Sequence, residues 1–291
     1  MNILKYDFHV HAGNEARGRK PGEFLSALEA RGVVFAGLCD HAEFYFERQS
    51  QWHVDYRAAA AARGETLYPP SLDGLKAWCA DLKAARRKAA MPFVVGLELC
   101  RYAETPDSFL EVPEFLSMCF SIRDDPTRED FGAVAAERIR QFAAKIKPAG
   151  KPGIVNHPFR DRYGAYRDMV AAGQTPPPVE KFISRDDVAR IAGAAGENGL
   201  FVEVNIGALS YYSKFETVVD LCVRAEGLLA ESGVGLSVGS DCHQPPAALA
   251  PEMVKVVQQA GLTAKRFEPV ARKLRALLKR GKPRRRSAKT R

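Results

Sequence analysis

Short apolar runs rich in β-branched and aromatic residues alternate along the chain with segments of helical periodicity. There are seven such runs, at residues 3–10, 33–39, 92–99, 114–121, 152–157, 200–205 and 234–240. This alternation predicts a parallel α/β fold. Between the first two runs Pro21 stands at a first-turn position, Phe24, Leu25 and Leu28 make an i, i+1, i+4 apolar stripe, and Gly32 closes the segment. The spacing predicts a helix of about three turns there. Ser184 with Asp187 has the form of a capping box, and Gly199 stands where a helix should stop before the run at 200–205. Residues 71–90, 128–147, 213–232, 251–260 and 264–279 are further predicted helices. Two stretches, 41–70 and 158–183, exceed ordinary connections and read as long loops, which on an α/β scaffold are more often functional lids than spacers.

Composition narrows this picture. With 291 residues, 46% of them hydrophobic and 27% charged, the chain has room for one core of barrel size, expected within residues 1–278. No window reaches the length of a membrane span, and the opening Met1-Asn2-Ile3-Leu4-Lys5 lacks the layout of a signal peptide, so a cytoplasmic chain with no membrane partner is expected. The six cysteines then read as thiols rather than bridges. The net charge of +8 is concentrated in residues 279–291, which hold Lys279, Arg280, Lys282, Arg284, Arg285, Arg286, Lys289 and Arg291 and no acid, leaving the body formally neutral. A disordered, solvated tail is the ordinary reading. Contact with a nucleic acid or another polyanion is the sharper one, although the tail lacks aromatic groups for base stacking.

Of the histidines, His9, His11, His41, His157 and His243 fall at or just past the C-terminal end of a predicted strand, where parallel barrels build their active sites. Asp7, His9 and His11 alternate, so an extended backbone turns all three to one face. Two imidazoles on one face can share a metal, and hydrogen-bonded core histidines are the equally ordinary alternative. Asp241 and His243 in Gly239-Ser240-Asp241-Cys242-His243 repeat the two-residue spacing at the seventh strand. Glu98 ends an apolar run where an unpaired carboxylate is costly to bury, calling for either a cation or a basic neighbour such as Arg101. His41 is taken as a donor on the turn and Asp40 as the carboxylate that orients an imidazole. His53, in the long loop with Gln51 and Trp52, reads as a surface or lid residue.

Together these residues resemble the polymerase and histidinol phosphatase (PHP) family. The Asp7-x-His9-x-His11 opening, Asp40-His41, Glu98 after Gly96-Leu97, His157 and the Ser240-Asp241-x-His243 closing motif occur in the family's order. The resemblance implies a distorted (β/α)7 barrel, two or three divalent metal ions, commonly zinc, manganese or iron, at the C-terminal ends of the strands, and hydrolysis of a phosphoester. It assigns His9, His11, Glu98 and Asp241 to one cation, Glu98 with Cys119 and His157 to a second, and His41 with His243 to a third. Cys119 stands where the family carries a histidine; a thiolate can replace it at zinc, and a buried thiol with no ligand role is the equally ordinary reading. Glu15 is the anionic residue available where the family has a further ligand after the opening motif.

On this reading the cations acidify a shared water for attack on phosphorus, and Asp241 or His243 moves the proton. Arg160, three residues after His157, is the candidate to grip phosphate oxygens. Arg162, Arg185 and Lys214 are weaker candidates, each more ordinary as a solvated cation. Asn205 ends the sixth strand and can hydrogen-bond substrate, with Glu203 on the same face. The expected partner is a small phosphorylated substrate. Hydrolysis of an amide or cyclic C–N bond by the same chemistry, and a noncatalytic metal-bound domain acting through its basic tail, are the competing readings.

Overall fold

Each apolar run forms one strand of a single parallel sheet in a computed structural model, which describes residues 5–16, 19–122, 125–245 and 251–280. The strands are β1 (Tyr6–His11), β2 (Phe35–Cys39), β3 (Phe93–Leu99), β4 (Phe115–Cys119), β5 (Gly153–Asn156), β6 (Phe201–Asn205) and β7 (Leu236–Gly239). Every strand residue is buried except Cys119, which is half-buried. Burial on both faces explains why most of the runs are largely apolar, while β1 and β6 alternate, with Asp7, His9 and His11 on one face of β1 and Glu203 and Asn205 on one face of β6.

Each strand pairs with its successor in sequence, in the order β1 through β7. The seam between the first and last strands is bridged just past the end of β7. Asp241 N donates to His9 O at 2.7 Å, and His11 N to Cys242 O at 2.9 Å. The result is a nearly closed (β/α)7 barrel. β1 shifts register against β2 between Asp7 and Val10, so one extra residue of β1 bulges at the level of His9.

Twelve α-helices connect and cover the strands among the described residues: α1 (Pro21–Ala30), α2 (Gln51–Ala62), α3 (Leu72–Arg86), α4 (Asp107–Leu110), α5 (Phe131–Ile146), α6 (Arg160–Ala171), α7 (Val179–Phe182), α8 (Arg185–Glu197), α9 (Ile206–Tyr212), α10 (Glu216–Glu231), α11 (Pro251–Gln259) and α12 (Glu268–Arg280). The capping box is present at the start of α8, where Asp187 N donates to Ser184 Oγ and Ser184 N to Asp187 Oδ2, both at 3.0 Å. On α5, Phe131, Ala135, Ile139, Phe142 and Ile146 form the buried stripe, each large side chain contributing about 1.5–3 kcal/mol. Trp78 of α3 is buried and donates its indole N–H to Ala12 O at 3.3 Å, fixing the segment that leaves β1.

Three expectations are corrected. The stretch 41–70 is not a long loop, because α2 occupies its middle, and 158–183 is mostly helical through α6 and α7. The segment predicted as one helix over 213–232 starts later, as α10, and is preceded by the separate helix α9, with Ser213 and Lys214 in the turn between them. Tail residues 281–291 lie outside the described residues. Among the described residues no helix is long and apolar enough to cross a membrane.

Candidate metal centre

The strand ends bring the predicted donors to one place at the C-terminal mouth of the barrel. His9 and His11 Nε2 atoms stand 3.0 Å apart. Between them and β2's end lies Glu98, whose Oε2 is 3.3 Å from His9 Nε2, 3.4 Å from His11 Nε2 and 3.2 Å from His41 Nδ1. Its Oε1 is 3.4 Å from His157 Nε2. Asp241 Oδ1 approaches His9 Nε2 at 3.4 Å and His11 Nε2 at 3.2 Å. Glu15 Oε2 lies 3.0 Å from both His41 Nε2 and His243 Nε2. Donor atoms of His11, Glu15, His41 and His243 therefore form one group within 4.8 Å of one another, and those of Glu98, Cys119 and His157 form another.

These groups fit divalent cations on their own chemistry. Glu98 is fully buried and its Oε2 makes no hydrogen bond, as is true of Glu15 Oε2. A buried carboxylate oxygen so placed needs positive charge to offset its lost hydration. Burial alone would push the Glu98 carboxyl up, but the imidazoles of His9 and His41 outweigh it and hold Glu98 well below the usual carboxylate range. Burial likewise opposes charge on His9 and His41, yet Glu98 with Glu203 and Asp241, or with Glu15, raises both well above the usual range. Hydrogen bonds to Cys119 and Glu98 overcome the burial of His157 and lift it to about 10. The cluster is thus short of cations, and without metal ions its imidazoles must supply them as protons. His157 (φ 36°) and Asp241 (φ 53°) are the two non-glycine residues with positive φ among the described residues. Strain of about 1–3 kcal/mol at each is the sort retained at functional sites.

The residues behind the donors were only partly legible. Asp40, expected to orient an imidazole, instead accepts from Asn14 N at 2.7 Å and Tyr45 Oη at 2.8 Å, holding the turn that carries Glu15. The orienting carboxylate is Glu203, whose Oε1 faces His9 Nδ1 at 2.8 Å and whose Oε2 accepts from His157 N at 2.8 Å. Asn205, expected to meet substrate, is buried, donates to Glu203 Oε2 at 3.0 Å and caps α9 by accepting from Ala208 N at 2.7 Å. Asp7 sits deeper and accepts from Ser240 N at 2.9 Å, supporting the seam rather than joining the donors. Asn156, which the sequence did not single out, donates to Glu98 Oε1 at 2.8 Å. Its signal was the polar residue immediately before His157. Gly239 is required by close approach, because a Cβ there would stand 2.0 Å from Glu203 Oε1 and 2.3 Å from His9 Cβ.

A pocket of about 660 Å³ opens beside the donors, lined by Glu15, His41, Phe44, Trp52, His53, Cys100, Arg101, Cys119 and Arg138 among others. A larger cavity of about 890 Å³ adjoins it through Arg101 but contains none of the donors, so the smaller one is the candidate substrate site. Trp52 and His53 line it from α2, so His53 is a pocket residue on a helix rather than part of a loop. Arg160, at the start of α6, does not line this pocket; it stands beside the donors, with Nη1 3.4 Å from Asp241 Oδ2. Arg162 is buried against Phe131 and Phe182 and donates to Arg128 O, and Arg185 pairs with Glu231 at the surface, so neither faces the donors. Arg101 pairs with Glu104 rather than Glu98.

Two thiols also stand here. Cys100 Sγ is 3.1 Å from His41 Nδ1, and Cys119 lies with Glu98 and His157. The neighbouring Cys100 thiol and the imidazole of His157 hold Cys119 well below the usual thiol range despite burial. The neighbouring Cys119 raises Cys100 well above it.

No protein-family model and no curated protein sequence matches the chain. Among solved structures it is similar to the histidinol phosphate phosphatase of Lactococcus lactis, crystallised with zinc, L-histidinol and phosphate. That likeness has a TM-score of 0.53 and 13% identity, and covers 89% of this chain and 95% of that one. A chain of the tryptophan synthase complex of Pyrococcus furiosus matches with a TM-score of 0.41 and 13% identity over 96% of this chain and 98% of that one, a score too low to bear on fold or chemistry. What the chain shares with the phosphatase structure is the fold, a barrel of parallel strands.

Proposed function

We propose that this protein is a metal-dependent hydrolase that cleaves a phosphoester of a small substrate. The observation that carries the reading is Glu98. Its Oε2 is buried and without a hydrogen bond, with nitrogens of His9, His11 and His41, supplied by β1 and the end of β2, at 3.2–3.4 Å. His9, His11, Glu98 and Asp241 would hold one divalent cation, Glu98, Cys119 and His157 a second, and Glu15, His41 and His243 a third. Bound there, such cations supply Lewis-acid charge and lower the pKa of water in their reach.

The chain's own residues do the rest. Arg160, whose fork can grip two phosphate oxygens, is held in place by Asp241. Asp241 and His243, at the mouth of the barrel, are placed to take and return a proton. Trp52 and His53 line the pocket with their rings at 89° to each other, an apolar corner for the leaving group, and Phe44 packs edge-on against both.

Elemental analysis of the purified protein, combined with a panel of phosphomonoesters and phosphodiesters under added manganese or zinc, tests this. Bound divalent metal with turnover of at least one ester is expected. Absence of metal together with absence of turnover under every cation would overturn the proposal.

A further inference from the structure

The register between β3 and β4 pairs Leu99 with Met118, so the next residues, Cys100 and Cys119, emerge side by side at the mouth of the barrel. Both line the same pocket. Each belongs to a different group of convergent donors. Cys119 lies with Glu98 and His157, and Cys100 with His41 and Glu43, every group within 4.8 Å internally. Glu43 adds an independent sign that a cation belongs on this side. It is only 4% exposed, one carboxylate oxygen accepts from Arg101 N at 2.6 Å, and the other, Oε2, is buried without a partner.

We propose that Cys100 and Cys119 act as a thiolate pair for a single soft divalent cation, completed by Glu98 and His157 on the barrel side. This rests on the metal-centre reading above and deepens it, since it adds Cys100 to the second position and gives that position a metal preference. A purely structural pair of thiols would be expected in an apolar niche, whereas these open onto a pocket beside His41 and Glu43. Thiolates select zinc or cadmium over manganese or magnesium, with zinc–sulfur distances of about 2.3 Å. Binding needs thiolate sulfur and neutral imidazole, so affinity at this position rises with pH.

The test is titration of cobalt(II) into metal-stripped full-length protein, read by visible and near-ultraviolet absorption. The wild type should show a thiolate-to-cobalt charge-transfer band at two-thiolate intensity, falling to the one-thiolate level in both Cys100→Ser and Cys119→Ser. An unchanged band in Cys100→Ser overturns the pair. Cobalt bound with ligand-field bands but no charge-transfer band leaves the metal centre standing and overturns the thiolate site. No bound cobalt overturns both. Alkylation of the wild-type protein, mapped by peptide, keeps the test independent of variant folding: zinc should protect Cys100 and Cys119 together while manganese protects neither. Equal labelling of Cys100 with and without zinc counts against the proposal.

Discussion

Glu203 is the residue whose substitution most directly separates positioning of the donors from the donors themselves. Its carboxylate is 1% exposed and receives three partners: His9 Nδ1 at 2.8 Å, His157 N at 2.8 Å and Asn205 Nδ2 at 3.0 Å. By accepting from His9 Nδ1 it would leave Nε2, beside Glu98 and Asp241, as the nitrogen that binds a metal once its proton is released, and by holding His157 N it keeps that residue in its left-handed turn. Glu203→Gln keeps the shape but offers one acceptor oxygen and one NH2, so at least one of three donors meets another donor. Loss of an orienting partner of this kind weakens metal binding about 10- to 100-fold, or about 1.4–2.7 kcal/mol. Leaving a buried donor unsatisfied costs a further ~1–3 kcal/mol of stability. Zinc affinity measured by competition with a chelator, alongside urea denaturation of the metal-free protein, separates the two effects. If Glu203→Gln unfolds more easily yet binds zinc as tightly as the wild type, Glu203 is a structural residue only and the orienting argument fails.

Arg160→Lys replaces a planar fork by a point charge, and its phosphoester kcat/KM should fall about 10- to 100-fold, the loss of a charge-assisted hydrogen bond of ~1.5–3 kcal/mol, with metal content unchanged. Gly239→Ala should cost ~1–3 kcal/mol by overpacking against Glu203 and His9 and should weaken metal binding in the same preparation, because the added Cβ meets both at 2.0 and 2.3 Å. Glu226 is buried with its Oε1 2.9 Å from Tyr163 Oη, and burial pushes its carboxyl up to about 8. The unfolded chain ionises this group near pH 4.5, so its contribution is fully present below that pH and is lost as pH rises to 8, at about 1.4 kcal/mol per pH unit. Glu226→Gln should therefore gain on the wild type in thermal melts across that window and match its slope outside it; parallel stability profiles at every pH would show the carboxyl is not held neutral. Hydrogen exchange should slow at the His11 and Asp241 amides on zinc binding, since these N–H groups bridge the seam beside the donors; slowing confined to other strands would contradict a centre at this seam.

The fold was readable because parallel strands covered on both faces are rich in apolar residues, and all seven apolar runs form strands that begin one to three residues later than the run. The helices inside 41–70 and 158–183 escaped because they lack a strong apolar stripe. Residues 51–62 end in Ala58 to Ala62, where helix propensity rather than periodicity was the signal, and only Ala60 of α2 is buried. The donors were legible from their position after strands. Their supports were not, because a carboxylate such as Asp40 can turn toward a neighbouring loop or toward an imidazole, and only the three-dimensional path of residues 12–16 decides which. Glu203 was visible as a polar residue within an apolar strand, and the demand that a buried carboxylate find donors would have marked it for a role inside the barrel. Cys100 carried no such mark, because its closeness to Cys119 depends on the register of β3 against β4.

Charge balance connects the seam to the chemistry. Glu15, Glu98 and Asp241 come from the beginning, middle and end of the chain, and they approach one set of imidazoles only when the backbone of Asp241 and Cys242 pairs with that of His9 and His11. A barrel that closes there gathers negative charge in a region with little water, which is unfavourable unless cations arrive with it. Protons on His9, His41 and His157 meet that demand in the metal-free chain, and divalent ions meet it with more charge per site while freeing the imidazole lone pairs to bind them. Metal binding at this seam would therefore release protons, and the same excess of acceptors that destabilises an empty site would give a filled one its affinity.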